Sequence, residues 1–171
     1  GAIMQFTVRG ARSEDLSEMY AISVAAHQAG YGSFIPLEEK ERFNQRYTLS
    51  EEGELRYVSS MQAKLNDPEW LFWVAEGEGK VLGYTLAQRE SDTVLHKKGM
   101  FVHPKYQGEG VGSALFKASL GGIDHGEIDL VVIASNQRAK HIYQKSGFEI
   151  RGLAQKSFYG APQEVMALIK H

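Results

Sequence analysis

The chain has no cysteine. That removes disulfides, thiolate metal sites and a covalent cysteine nucleophile in one step. Proline is scarce, with four in 171 residues, and no Pro/Ser-rich linker, internal repeat or low-complexity tract divides the chain. One domain spanning residues 1–171 is therefore expected, long enough for a proper core. No apolar stretch approaches the roughly 18 residues of a membrane span, and no signal peptide opens the chain. A cytoplasmic protein without a membrane partner is the expectation. An excess of one charge is also missing: 19 Lys+Arg against 21 Asp+Glu leave −2. The basic footprint of a nucleic-acid binder is absent, so no nucleic-acid partner is expected. Six histidines are scattered without a His-Glu-x-x-His pattern, so no metal is expected either. A hydrophobic fraction of 43% excludes a disordered chain. Gly1-Ala2-Ile3 reads as a cloning remnant before a native Met4.

What the chain does have is a glycine-rich stretch, Gln107-Gly108-Glu109-Gly110-Val111-Gly112-Ser113. It follows the apolar run Met100-Phe101-Val102 after the spacer His103-Pro104-Lys105-Tyr106. Glycines at alternate positions allow a tight turn and a close backbone approach to a ligand. From Val111 the apolar spacing (Val111, Leu115, Ala118) is helical, so the loop opens into a helix N-terminus. Free amides and the positive end of a helix dipole then converge on a site suited to a phosphate. A P-loop needs a lysine and a hydroxyl after its last glycine; Ser113 and Ala114 follow Gly112 here. The dinucleotide fingerprint needs G-x-G-x-x-G directly after a strand, whereas this spacing is G-x-G-x-G behind a proline-containing spacer. A plain glycine-rich surface turn is the bland alternative.

A second stretch is independent of the first. Ile128-Asp129-Leu130-Val131-Val132-Ile133-Ala134 predicts a strand buried on both faces. Asn136 follows as a helix N-cap, Ala139, Ile142 and Tyr143 share one helical face, and Gly147 stops the helix. The first stretch resembles the acetyl-CoA pyrophosphate loop of the Gcn5-related N-acetyltransferases, the GNAT family, in its form Gln-x-x-Gly-x-Gly. Residues 136–149 are similar to that family's second signature, Asn-x-x-Ala-x-x-x-Tyr-x-x-x-Gly-Phe.

The rest of the chain follows in order. Residues 5–9 alternate as a short strand. Ser13 is a candidate N-cap for a helix whose face carries Leu16, Met19, Tyr20, Ser23 and His27. Helices are predicted over 36–47 and 54–66, strands over 70–76, 81–89 and 93–102, and a C-terminal hairpin over 149–158 and 165–170. This order matches the GNAT arrangement, an α+β (α/β three-layer) fold. It implies a mixed, mostly antiparallel sheet of about seven strands with helices on both faces.

The resemblance implies an acetyl-CoA-dependent N-acetyltransferase. Acetyl-CoA would sit on Met100, Phe101, Val102, Gln107, Gly108, Glu109, Gly110, Val111, Gly112, Ser113, Asn136 and Tyr143. Tyr143 would protonate the leaving thiol. The acceptor would be a polyamine-like small molecule or a peptide amine, and a homodimer is compatible with the reading. A catalytically idle acyl-CoA sensor of the same fold is the alternative. A lysine-like amine has a pKa of about 10.4, so its neutral form costs roughly 4–5 kcal/mol at pH 7. Many family members supply a glutamate base before the loop; Lys97 and Lys98 stand there instead. His96, Tyr31, Tyr84 or a water chain remain as routes for the proton. The family's acceptor-lining segments offer Gln28, Tyr31, Phe34, Ile35, the run Glu38-Glu39-Lys40-Glu41, Phe158 and Tyr159. Residues 32–37 distantly resemble polyamine- and N-terminus-acetylating members.

Overall fold

Why the chain leaves a gap in the middle of its sheet is the central structural question. The computed structural model describes residues 4–171; the Gly1-Ala2-Ile3 segment lies outside them. The strands are β1 (Thr7–Gly10), β2 (Trp70–Gly77), β3 (Lys80–Ser91), β4 (Val94–Val102), β5 (Gly126–Ile133), β6 (Glu149–Leu153) and β7 (Gln163–Lys170). The helices are α1 (Leu16–Tyr31), α2 (Lys40–Arg46), α3 (Glu51–Leu65), α4 (Val111–Ser119) and α5 (Gln137–Lys145). One seven-stranded sheet runs β1-β2-β3-β4-β5-β7-β6. Only β4 and β5 pair in parallel; every other neighbouring pair is antiparallel. The expected mixed, mostly antiparallel α+β sheet is what forms.

The helices cover the two faces unequally. Leu16, Met19 and Ile22 of α1 pack with Phe72, Val74, Tyr84 and Leu86 on one face, with Tyr57, Val58 and Met61 of α3 beside them. On the other face Val111 and Leu115 of α4 meet Ala75 and Leu82. Nearby, Leu95, Ile128, Leu130, Val132 and Phe148 close around Phe116 and Tyr143. At β1, Arg9 holds the buried Asp15 in a two-pronged ion pair (2.8 and 2.9 Å). Asp15 also accepts the amide of Arg12 at 2.7 Å, which pins the turn into α1. The expected Ser13 cap does not form: Ser13–Asp15 make a 3-10 turn whose N-cap is Arg12, and the Asp15 side chain accepts the Arg12 amide.

The gap arises between β4 and β5. They pair at only three positions, Val94 with Glu127, Leu95 with Ile128 and His96 with Asp129. Against β3, Gly99 opposes Leu86 while Lys97 opposes Ala87, so Lys98 is an extra residue in β4. Such a bulge bends and twists its strand. Beyond it β4 follows β3, β5 follows β7 along its whole length, and the two part.

The parting corrects one expectation. β5 is not buried on both faces: Ile128, Leu130 and Val132 are buried, but Val131 is 50% exposed. The apolar residues facing the gap gave the strand its continuous run. Two boundaries also shift. The helix expected over 36–47 is a 3-10 turn, Leu37–Glu39, followed by the short α2. The β6 strand stops at Leu153, and a turn closed by reciprocal Phe158–Ala161 amide bonds carries the chain to β7. No helix among the described residues is long and apolar enough to cross a membrane.

Candidate active site

The diverging strands enclose a cleft of about 660 Å³, within the usual range for a small-molecule site. Its walls include Met100 and Phe101 of β4, Val131 and Ile133 of β5, and Asn136 and Tyr143 at α5. Backbone amides and carbonyls on the facing edges of β4 and β5 lack a ladder partner beyond His96 and Asp129. Such groups need a partner from solvent or ligand. An extended, amide-bearing chain fits that edge.

The glycine loop lies where β4 ends. Gly108 and Gly110 both adopt left-handed backbone (φ 83° and 85°), with nothing within 4 Å of where a Cβ would stand. Gly110 is the N-cap of α4, so the amides of Val111, Gly112 and Ser113 have no acceptor inside the helix. Gly112 is different: its φ is ordinary, and it sits close to Val102 and Met100. Gln107, Gly108, Glu109, Gly110 and Ser113 are exposed on this turn, outside the walls of the cleft itself. Val102 packs into the α4 core beside Val111. Among the expected cofactor residues, then, Met100, Phe101, Asn136 and Tyr143 line the cleft, Val102 and Val111 pack in the α4 core, and the others stand on the turn outside its walls.

Tyr143 stands on α5, which begins as expected at Asn136, whose side chain accepts the Ala139 amide at 3.1 Å. The helix ends at Gly147 (φ 99°), where the Phe148 amide returns to the Tyr143 carbonyl at 3.0 Å. The Tyr143 ring stacks on Phe116 at 5.7 Å. Burial pushes its phenol pKa up, so it stays protonated and can donate.

The opposite half of the cleft is walled by His27, Tyr31, Phe101 and Phe158. His27 stacks on Tyr47 at 4.0 Å, and Phe101 lies 4.5 Å away. Its Nδ1 is 2.7 Å from the Ser23 carbonyl. A carbonyl only accepts, so Nδ1 carries the proton and Nε2 bears the lone pair. Burial, acting above all, lowers the His27 pKa to about 4. His27 is thus a neutral acceptor at pH 7. In the sequence it stands on one helical face with Leu16, Met19, Tyr20 and Ser23; its signal was a Ser-x-x-x-His pair closing an otherwise apolar stripe.

His96 is placed differently. Its Nδ1 is 2.7 Å from Asp129 and its Nε2 3.2 Å from Glu90. Burial lowers its pKa, but the bonds to Asp129 and Glu90 outweigh that and raise it. Both nitrogens face carboxylates, which leaves no lone pair for an amine. Burial, and for Tyr31 the neighbouring phenols of Tyr143, Tyr47 and Tyr84, also hold the Tyr31 and Tyr84 pKa values up. They are donors. Lys97 turns to the α4 side, where its Nζ donates to Ser119 Oγ at 2.6 Å and lies 5.0 Å from the Phe116 ring centre. Burial lowers its pKa to about 8.

The acceptor-lining residues divide. Tyr31 and Phe158 reach the cleft; Ile35 is buried, Phe34 is half-buried, and Gln28 donates to the Tyr47 carbonyl at 2.7 Å. Tyr159 packs against Phe43 and Arg42. Of the acidic run, Glu39 pairs with Arg42, Glu38 and Glu41 are exposed, and none of the three carboxylates lines the cleft. Among the described residues no group of three or more His, Cys, Asp or Glu could hold a metal.

Comparison with known proteins agrees with this geometry. Residues 68–150 match the family model for the acetyltransferase (GNAT) domain. Over 91 residues the chain is 33% identical to an uncharacterized N-acetyltransferase of Mycobacterium tuberculosis, covering 52% of this chain and 58% of that protein. The chain therefore spans little more than half the length of that relative. A second relative, an N-acetylaspartate synthetase of Xenopus tropicalis, is 33% identical over 98 residues, 55% of this chain and 36% of its own. In fold, the chain is similar to the PaiA N-acetyltransferase of Thermoplasma acidophilum solved with coenzyme A. The TM-score is 0.69 at 20% identity, over 97% of this chain and 99% of that one. Fold, motifs and family match coincide over residues 68–150, which match the GNAT acetyltransferase domain.

Proposed function

We propose that this domain transfers the acetyl group of acetyl-CoA to a primary amine of a small molecule or a peptide. The observation that carries the reading is the two-sided cleft between β4 and β5. Asn136 and Tyr143 line one part of it and His27, Tyr31, Phe101 and Phe158 another, and the glycine turn follows where β4 ends. Acetyl-CoA would supply an activated thioester. The amides of residues 108–113, at the positive end of α4, would hold its pyrophosphate. Open amides of Met100 to Val102 would hold the pantetheine arm and the carbonyl as negative charge develops on it. Tyr143, kept protonated by burial, would donate its proton to the departing thiolate. The proton that the attacking nitrogen sheds as the amide forms would restore the phenol through water. The amine would enter past Tyr31, Phe101 and Phe158, with His27 Nε2 accepting one of its hydrogens. A histidine with a pKa near 4 cannot take a proton from an ammonium, so the amine must arrive neutral. The likeness to a structure solved with coenzyme A supports the cosubstrate. A sensor without turnover needs no second pocket, which favours the enzyme over an acyl-CoA sensor. Thiol release across an amine panel tests this: release that requires both acetyl-CoA and an amine is expected. Tight acetyl-CoA binding with no release for any amine would instead establish the sensor.

A further inference from the structure

The acceptor half of the cleft has a charge pattern that the motifs do not assign. The ionisable lining of the cleft is His27, His96, Asp129, Lys97, Lys98 and Lys156, with the phenols of Tyr31 and Tyr143; Lys97 turns away to Ser119 on the α4 side. Asp129 is the one carboxylate there, and it is held by His96 at 2.7 Å. His27 is neutral, for the reasons given above. Lys98 and Lys156 have no carboxylate partner within salt-bridge distance among the described residues. Lys98 is close enough to His96 to push its pKa down. Lys156 stands in the turn after β6, which Gln163 fixes by donating to the Lys156 carbonyl at 3.2 Å. Two residues on, Phe158 packs on Tyr31 at 5.5 Å. The two free cations therefore border a cleft whose lining also carries Tyr31, Phe101 and Phe158.

We propose, on the strength of the acetyl-transfer reading, that the acceptor is an amine carrying a carboxylate and an apolar group, rather than a polyamine. A polyamine would bring positive charge to lysines with no anion left to receive it, and like charges repel. A carboxylate on the acceptor gives Lys98 and Lys156 a partner. Its apolar part covers Tyr31, Phe101 and Phe158. The same cations disfavour an ammonium beside them and so help keep the attacking nitrogen neutral, which a site without a strong base requires. A free α-amino acid and a peptide N-terminus with a nearby acidic side chain share this chemistry.

The test compares acids with their amides. Thiol release is measured with phenylalanine against phenylalaninamide, with the dipeptide amides of Glu-Phe against Gln-Phe, and with a diamine. Removing the carboxylate lowers the amine's own pKa and raises its neutral fraction, so the comparison is biased against the proposal. Expected is a kcat/KM at least about tenfold higher for the acid of one pair, and which pair responds separates amino acid from peptide. Lys156→Glu should erase that preference, and Lys156→Gln should halve it on a logarithmic scale, both with acetyl-CoA affinity unchanged. Amides or the diamine used as well as the acids, with acetyl-CoA bound, would overturn the acceptor class and leave acetyl transfer standing. Absence of acetyl-CoA binding in the parent protein would overturn both.

Discussion

Tyr143, His27 and His96 owe their roles in the cleft to burial and to their neighbours. Tyr143 is a donor because burial holds its proton on, and its ring is fixed by Phe116. Tyr143→Phe keeps that stacking and removes only the hydroxyl. Acetyl-CoA affinity should survive while turnover falls about 10²–10⁴-fold, the usual size of a general-acid effect; the ratio of kcat to binding constant reads it directly. Unchanged turnover would remove the phenol from the reaction. His96 is set the other way, between Asp129 and Glu90. His96→Gln should leave the pH profile of kcat/KM in shape, with a rising limb that tracks the pKa of whichever amine is supplied. A limb that stays put when the amine is changed, and vanishes in the variant, would make His96 the base.

At the level of elements, the site depends on one extra residue in β4 and one capped helix. The Asn136 cap places α5, and α5 carries Tyr143. Asn136→Ala should cost about 1 kcal/mol of stability, the usual value of such a cap, read as a lowered urea midpoint. A midpoint equal to the parent's would mean the cap contributes nothing. These parts were legible in the sequence because their signals are local: Asn136, Gly147 and the glycines at 108 and 110 sit within one turn of what they control. The cleft was not. It depends on a register shift between Leu86 and Ala87 and on where β4 ceases to pair with β5, which are relations between distant strands. Apolar residues facing the cleft, such as Val131, are indistinguishable from core in a one-dimensional pattern. For the same reason the pattern placed His27 on a helical face and no further. Its role depends on Phe101, Tyr47 and Phe158, which come from three other segments.

For the molecule as a whole, the site has a cost in stability with a definite pH signature. The folded protein keeps His27 neutral down to about pH 4, whereas an unfolded histidine titrates near 6.5. Between these values the unfolded chain binds more protons, so stability is present above about pH 6.5 and falls as the pH drops towards 4. The total loss is about 3 kcal/mol. Asp15, depressed by its bond to Arg9, adds a further loss only below the ordinary carboxylate range. His96, whose raised pKa adds stability as the pH falls, acts alike in parent and variant. Between pH 7, 5.5 and 4.5 the denaturant midpoint of the parent should therefore drop relative to that of His27→Phe, which keeps an aromatic ring there. Equal slopes would show that His27 does not titrate as described. The central claim remains that the parted strands and the glycine turn form one acetyl-CoA site. Calorimetric titration of the dialysed protein and of Gly110→Val with acetyl-CoA tests it most directly. Gly110 has φ 85°, a conformation a β-branched residue adopts only under strain. The parent should bind one equivalent, and the variant, melting within a few degrees of it, should show no measurable binding. A variant that binds as tightly as the parent would contradict the assignment.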